Sequence, residues 1–339
     1  MPTIAEWFCL KEGRDEFLPD NKNDAGLKLC HENIIKDRVM DTIDRSFATN
    51  RPVKMLIYGD WGVGKTHTLN HIKWWFEQKD SPHSARVIIV ELGDVEKKSK
   101  YDVVIRRIMD SLTLKYLIKL LQDYNRTQNI HPVQALKSLG SNHSVAEAFG
   151  NLLQAVPDQA PPPAVLWSFN YLKGQEVKEG SSVGLGQTIK EADEFYSVLL
   201  CCGELVKKVE NKQLIFIVDE LAKMEEIGLT TEAESHWMDV NRAILDHQQR
   251  TFGFVYSMKG GGDELPDIID DPQLQSRIGD NRVELRNFES SEVTQYLKKL
   301  TEEFVNWEKV QTLVDKGEID SKEYDKDSYP FTSESLNHF

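Results

Sequence analysis

Several absences bound what this chain can be. Its four cysteines, Cys9, Cys30, Cys201 and Cys202, form no Cys-x-x-Cys pair, and Cys30-His31 has no second ligand pair at zinc spacing. The neighbours Cys201 and Cys202 are badly placed to bond each other, so reduced thiols in a cytoplasm are the simplest expectation. The opening residues, MPTIAEWFCLKEGRDEF, lack a basic stretch followed by an apolar one, and no secretory signal is read. No apolar run approaches the ~18 residues of a membrane span. Basic residues are outnumbered, 41 Lys and Arg against 55 Asp and Glu, for a net charge of −14. Such a chain is a poor sequence-independent binder of polyanions, whose affinity comes mainly from cations neutralising phosphates. Any DNA role needs a local basic patch or a partner.

What is present is a globular composition: 339 residues, 40% apolar and 28% charged, with 14 Phe and 7 Trp. That length favours about two domains and is ample for a buried core without disulfides or structural metal. The acidity is uneven. Residues 260–339 hold 9 basic against 19 acidic residues, a net −10, which leaves −4 for the rest. A protein-contact region is expected there, engaging a second copy of the chain or another partner.

Apolar spacing predicts a helix from Ile34 to Phe47, then a buried strand Val53 to Tyr58, a glycine-rich turn and a helix through Gln78. A second strand, Arg86 to Leu92, precedes a helix from Tyr101 to about Leu121. Residues 122–190 read as a helical, proline-containing insertion with two helices. A long helix from Glu191 to Val209 leads into a third strand, Gln213 to Val218. A helix around Glu232 to His247, a fourth strand Thr251 to Ser257 and a short fifth at Arg282 to Leu285 follow. Strands alternating with helices imply right-handed crossovers and a parallel sheet covered on both faces. Residues 1–30 form an irregular N-terminal extension, 31–287 an α/β core, and 288–339 an acidic helical lid, small and cut short after a helix start at Thr332 or Ser333.

The chemistry lies in two motifs. Gly59-Asp60-Trp61-Gly62-Val63-Gly64-Lys65-Thr66 matches G-x-x-x-x-G-K-[ST] in full, between a strand and a helix. Its glycines let backbone N–H groups turn inward around phosphates, and the helix end, through His67, adds a positive dipole. Lys65 would reach the β- and γ-phosphates and Thr66 would coordinate Mg²⁺. The second motif is the apolar strand Leu214 to Val218 ending in Asp219-Glu220. Asp219 would hold the Mg²⁺ shell at the sheet's ligand-binding edge, and Glu220 would polarise the attacking water.

Two further side chains keep two readings each. Ser257, closing the fourth strand, either holds the lytic water or γ-phosphate or caps the next turn. Arg277, after the acidic loop Gly260 to Asp271, either serves a neighbouring subunit as an arginine finger or pairs with nearby carboxylates. Arg282 is its substitute.

The order strand, GDWGVGKT, helix, strand, helix, LIFIVDE, then a strand ending in Ser and a downstream Ser-Arg, resembles the AAA+ P-loop ATPase core. Within it, HENIIKDRVMDTIDRSFATNRPVKMLIYGDWGVGKT and RVIIVELGDVEKKSKYDVVIRRIMDSL resemble the origin-recognition-like branch. A narrower likeness, from WSFNYLKG to LIFIVDEL, is to bacterial phage-defence ATP-binding proteins of the BREX type. The resemblance implies ATP, with Mg²⁺, hydrolysed in the cytoplasm by a switch or motor subunit of an oligomer, in a DNA-related or antiviral setting. Two departures stand out: no arginine follows Arg286, so a lid arginine is lost or replaced by a lysine such as Lys298, and the strand-four polar group is a serine. A non-hydrolysing adaptor module and a DNA-remodelling ATPase are the competing expectations.

Overall fold

The computed structural model describes residues 9–12, 14, 24–27, 32–93, 95–128, 131–138, 142–156, 159–221, 227–248, 251–260 and 271–319. The expected helix start at Thr332 or Ser333 and most of the acidic loop after Gly260 lie outside the described residues.

Five strands form one parallel sheet: β1 (Lys54–Gly59), β2 (Ala85–Glu91), β3 (Gln213–Asp219), β4 (Phe252–Lys259) and β5 (Arg282–Glu284). Their order is β2-β3-β4-β1-β5, so β4 is wedged between the two motif-bearing strands. The expected α/β P-loop architecture is therefore present. β-Branched and aromatic residues fill both faces, as a doubly covered parallel sheet demands.

One face packs Met55, Ile57, Ile215, Ile217 and Val255 against α1 (32–48) and α2 (Lys65–Glu77), through Val39, Ile43, Leu69 and Ile72. In α1 the segment Ile35–Met40 is π-wound between α-helical ends. The other face, with Phe216, Phe252, Phe254 and Tyr256, is covered by α3 (Asp102–Leu112), α8 (Ala192–Glu210) and α9 (Thr231–Asp246). The single helix expected from Tyr101 to Leu121 is two: α3 stops at Thr113, whose φ of 58° breaks the helical path, and α4 (Leu114–Gln128) restarts at once. The expected insertion holds α5 (Pro132–Ser138), α6 (His143–Asn151) and α7 (Pro163–Leu172), one helix more than the spacing predicts. Pro163 opens α7 at a position where a missing N–H costs nothing. At the sheet's edge β2, α4 and α8 are joined where the Arg86 guanidinium forks onto Glu210, which also accepts from the Tyr116 hydroxyl at 2.6 Å.

After α10 (Pro272–Ile278) and β5, the lid consists of α11 (Ser290–Phe304) and α12 (Trp307–Asp315). The N-terminal extension ties it to the core. Leu10 bridges Val305, Lys11 N–H donates to the Phe304 carbonyl at 2.8 Å, and the Arg14 guanidinium lies 3.4 Å over the Phe304 ring. Arg14 also pairs with Asp24, whose neighbours Ala25 to Leu27 cross α2.

Trp237 on α9 anchors the second face: it is fully buried, stacks edge-on with Tyr101 and donates from its indole N–H to the Ser99 carbonyl at 3.0 Å. Trp237→Ala is expected to cost about 3–5 kcal/mol in urea unfolding, with Trp237→Phe costing less. A loss below about 1 kcal/mol would contradict this packing.

Candidate active site

The register of the sheet decides which side chains meet. Glu91, Asp219, Ser257 and Ile57 lie at one level across the sheet: Glu91 opposes Asp219, Val218 opposes Tyr256 one residue earlier, and Ser257 opposes Ile57. Two residues further along, Lys259 opposes Gly59, the first residue of the phosphate loop. All these strands point their C-terminal ends the same way, at the edge where open α/β sheets bind ligands.

The loop has the backbone needed for an anion cradle. Gly59 presses on the fifth strand: a Cβ there would stand 2.1 Å from the Leu285 carbonyl oxygen, so no larger residue fits. Gly64 caps α2 at φ 89°, in the left-handed region that glycine adopts without penalty. Beside Gly62 the space is open, with nothing within 4 Å of where a Cβ would lie. The first helical bond of α2 runs from Thr68 N–H to the Gly64 carbonyl, which leaves the N–H groups of Lys65, Thr66 and His67 without helical acceptors. These donors and the helix dipole suit a phosphate.

The loop side chains divide by role. Lys65 Nζ donates to the carbonyls of Gly59 at 2.8 Å and Asp60 at 2.7 Å, folded across the space a phosphate would take. Burial lowers the Lys65 pKa from the usual lysine value, against the raising fields of Asp219 and Asp60. Val63 is buried in the α1–α2 core. The Asp60 carboxylate accepts from the Trp61 N–H at 2.7 Å, while the Trp61 ring is 67% exposed. His67 is buried; its Nε2 meets the Leu27 carbonyl at 2.7 Å, and one turn on His71 Nδ1 meets the Ala25 carbonyl at the same distance. The His67 ring therefore holds the N-terminal extension, and only its backbone is left for a ligand.

On the other motif, Asp219 is buried at the end of β3, and its Oδ2 accepts from the Thr66 hydroxyl at 3.4 Å. Oxygen donors in this arrangement fit Mg²⁺, which takes one or two protein oxygens and completes its shell with water and substrate phosphates. Among the described residues no cluster of three or more His, Cys, Asp or Glu side chains could hold a metal alone. Glu220 sits at φ 63°, unusual for a non-glycine residue, pinned by its own N–H to Asp219 Oδ1 at 2.8 Å and by Leu221 N–H to the Ser257 carbonyl at 3.1 Å. Backbone held in that region costs about 1–2 kcal/mol and collects at functional sites.

Ser257 lies in the row beside Asp219, but it is fully buried and its hydroxyl has no hydrogen-bond partner. The strand does not end there. It continues to Lys259, which is exposed at the loop, so a polar end two residues further on was missed by stopping at Ser257. Glu91 was missed too; with Thr66 and Asp219 it lines a groove of about 410 Å³ between α2 and β2. Its signal was a strand-ending carboxylate in RVIIVEL. Arg277 is not brought to this loop. It forks onto Asp246 at 2.6 and 3.0 Å, near Lys54 at the start of β1, the opposite end of the strand from Gly59. Arg282 donates to Gln275. A larger cavity, of about 1320 Å³, is bordered by α3 and α9, but its charges are of both signs and partly pair internally, as in Lys100–Glu232 and Arg106–Asp102.

No helix among the described residues is long and apolar enough to cross a membrane. No curated protein is significantly similar to the chain in sequence. Among solved structures, it is similar to the Aeropyrum pernix ORC1 protein in complex with DNA, at 13% identity and TM-score 0.38, over 85% of this chain and 56% of that one. It is similar to a Walker-type ATPase of Pyrococcus abyssi at 13% identity and TM-score 0.43, over 88% and 66%. It is also similar to the Aeropyrum pernix ORC2 protein at 14% identity and TM-score 0.39, over 90% and 57%. The chain thus spans between 56% and 66% of the length of these structures. A sequence-family model matches residues 32–252, from α1 into β4, and takes in both motifs; the chain belongs to the KAP family of P-loop NTPase domains.

Proposed function

We propose that this protein binds a nucleoside triphosphate with Mg²⁺ and hydrolyses it, using the cycle to switch an assembly with copies of itself or with a protein partner. The observation that carries the reading is the meeting of Lys65, Thr66, Asp219 and Glu220 at one sheet edge, in front of the α2 N-terminus. Lys65 and the free N–H groups of the loop bind and orient the phosphates. Bound Mg²⁺, held through Thr66 and Asp219, would neutralise charge on the transferring phosphoryl group. Glu220, fixed by its strained backbone beside Asp219, takes the proton side of the attacking water. Glu91, in register with Asp219, adds a second carboxylate facing the same groove.

ATP as the nucleotide, and a DNA-related or phage-defence setting in a cytoplasm, follow from the motif resemblance, with no separate base-reading motif evident in the sequence. The acidic C-terminal region, net −10 over residues 260–339, is the surface we assign to a partner. A role for Arg277 as a finger in a neighbour's site would require it to leave Asp246. That engagement favours the second reading, a nucleotide-dependent adaptor that turns over slowly or not at all.

Lys65→Ala is expected to remove nucleotide binding, since one charge-assisted partner of the phosphates is lost from a site with few others; near-normal affinity by equilibrium titration would contradict the site. Glu220→Gln is expected to keep nucleotide bound while slowing hydrolysis by about 10²–10⁴-fold. Full turnover in that variant would take the water-positioning role away from Glu220. An absence of turnover in the wild-type chain at every protein concentration, with binding intact, would select the adaptor.

A further inference from the structure

Among the described residues, a second cation besides Lys65, Lys259, stands beside the phosphate loop. Strand β4 alternates its side chains, so Val255, Ser257 and Lys259 share the face that carries α2: Val255 packs with Ile57 and Ile217, Ser257 is buried, and Lys259 emerges into solvent. Lys259 opposes Gly59, and the next residue closes the junction, Gly260 N–H donating to the Gly59 carbonyl at 3.3 Å. That carbonyl is also where Lys65 Nζ rests. The end of the loop reached by the β- and γ-phosphate lysine is therefore the end to which β4 delivers a second ammonium group.

Two other observations bear on it. Lys259 Nζ lies 5.6 Å over the ring of Trp61, an exposed residue of the loop. An exposed tryptophan gains little from burial here, and a cation–π contact at such a site is worth only about 0.5–1 kcal/mol, so it can be exchanged for a stronger partner. In addition, Lys259 is near enough to Lys65 for their like charges to interact, with the carboxylates of Asp219 and Asp60 also acting on Lys65. Two ammonium groups facing a rim of free backbone N–H donors make a site for a multiply charged anion.

We propose that Lys259 is a second phosphate-binding residue of this site, resting on Trp61 in the free protein and turning to the terminal phosphate of a bound nucleoside triphosphate. The proposal rests on the nucleotide reading of the loop and deepens it. It supplies, from within the chain, the positive charge that Arg277, held by Asp246, and Arg282, held by Gln275, do not bring to the loop. It also gives the loop tryptophan a role: Trp61 holds the lysine in place until the triphosphate arrives.

The test compares equilibrium affinities for ADP and for a non-hydrolysable ATP analogue, both with Mg²⁺, in the wild-type chain and in Lys259→Ala, Lys259→Met and Lys259→Arg. A charge-assisted contact to the terminal phosphate alone predicts about 10–100-fold weaker binding of the analogue in the Ala and Met variants. ADP affinity is expected to change by less than about threefold, and Lys259→Arg to restore most of the analogue's binding. The intrinsic fluorescence change on adding the analogue is expected to shrink in Lys259→Ala and in Trp61→Phe, because both remove the same ring–ammonium contact. Lys259→Met keeps the aliphatic stem and decides the matter if the alanine variant folds poorly. Equal loss for both nucleotides, or no loss for either, would overturn the proposal while leaving the nucleotide site intact. A wild-type chain that binds neither nucleotide would overturn the site itself, and the proposal with it.

Discussion

The pairing of β4 between β1 and β3 is the constraint on which the site depends. A phosphate loop and an acidic strand end do nothing together unless their strands stop at the same level, and here a third strand fixes that level by hydrogen bonds to both neighbours. Hydrophobic packing makes the register costly to change, because a one-residue slip would drive Ile57, Ile217 and Val255 out of the α1–α2 core. The same strand then delivers Lys259 to the loop and accepts the Leu221 N–H through the Ser257 carbonyl, which holds the turn that carries Glu220.

A second constraint links the lid to the phosphate helix. The lid helices are joined to residues 9–11 and Arg14, and residues 24–27 lie across α2 under two buried histidines one turn apart, His67 and His71. Leu27 packs in the same apolar cluster as Leu300 and Phe304. Residues 24–27 thus meet the lid through the Leu27 side chain and the Arg14–Asp24 pair, and meet α2 through carbonyl groups.

Much of this was legible in the amino-acid order, and the exceptions have physical causes. The five strands and both motifs follow from apolar runs and turn glycines, because a doubly covered sheet leaves continuous hydrophobic stretches. The end of β4 was not legible: Ser257 looks like a strand terminus, but Met258 is fully buried and carries the pairing on to Lys259. Thr113 gave no sign of breaking a helix, since only its φ of 58° does so. Arg277 could be matched with any nearby carboxylate; its partner, Asp246, is set by the meeting of α9 and α10 at the strand starts. The extension carries no periodicity at all, because its role is exercised through carbonyl groups and contacts far along the chain.

The central claim is that the ends of β1, β3 and β4 form one site for a Mg²⁺-bound nucleoside triphosphate. Calorimetric titration of the wild-type chain with a non-hydrolysable ATP analogue, with and without Mg²⁺, tests it most directly. The account predicts one site per chain, with affinity strengthened by Mg²⁺ because Thr66 and Asp219 reach the phosphates through the cation. Absence of binding at millimolar nucleotide, or binding indifferent to Mg²⁺, would contradict it.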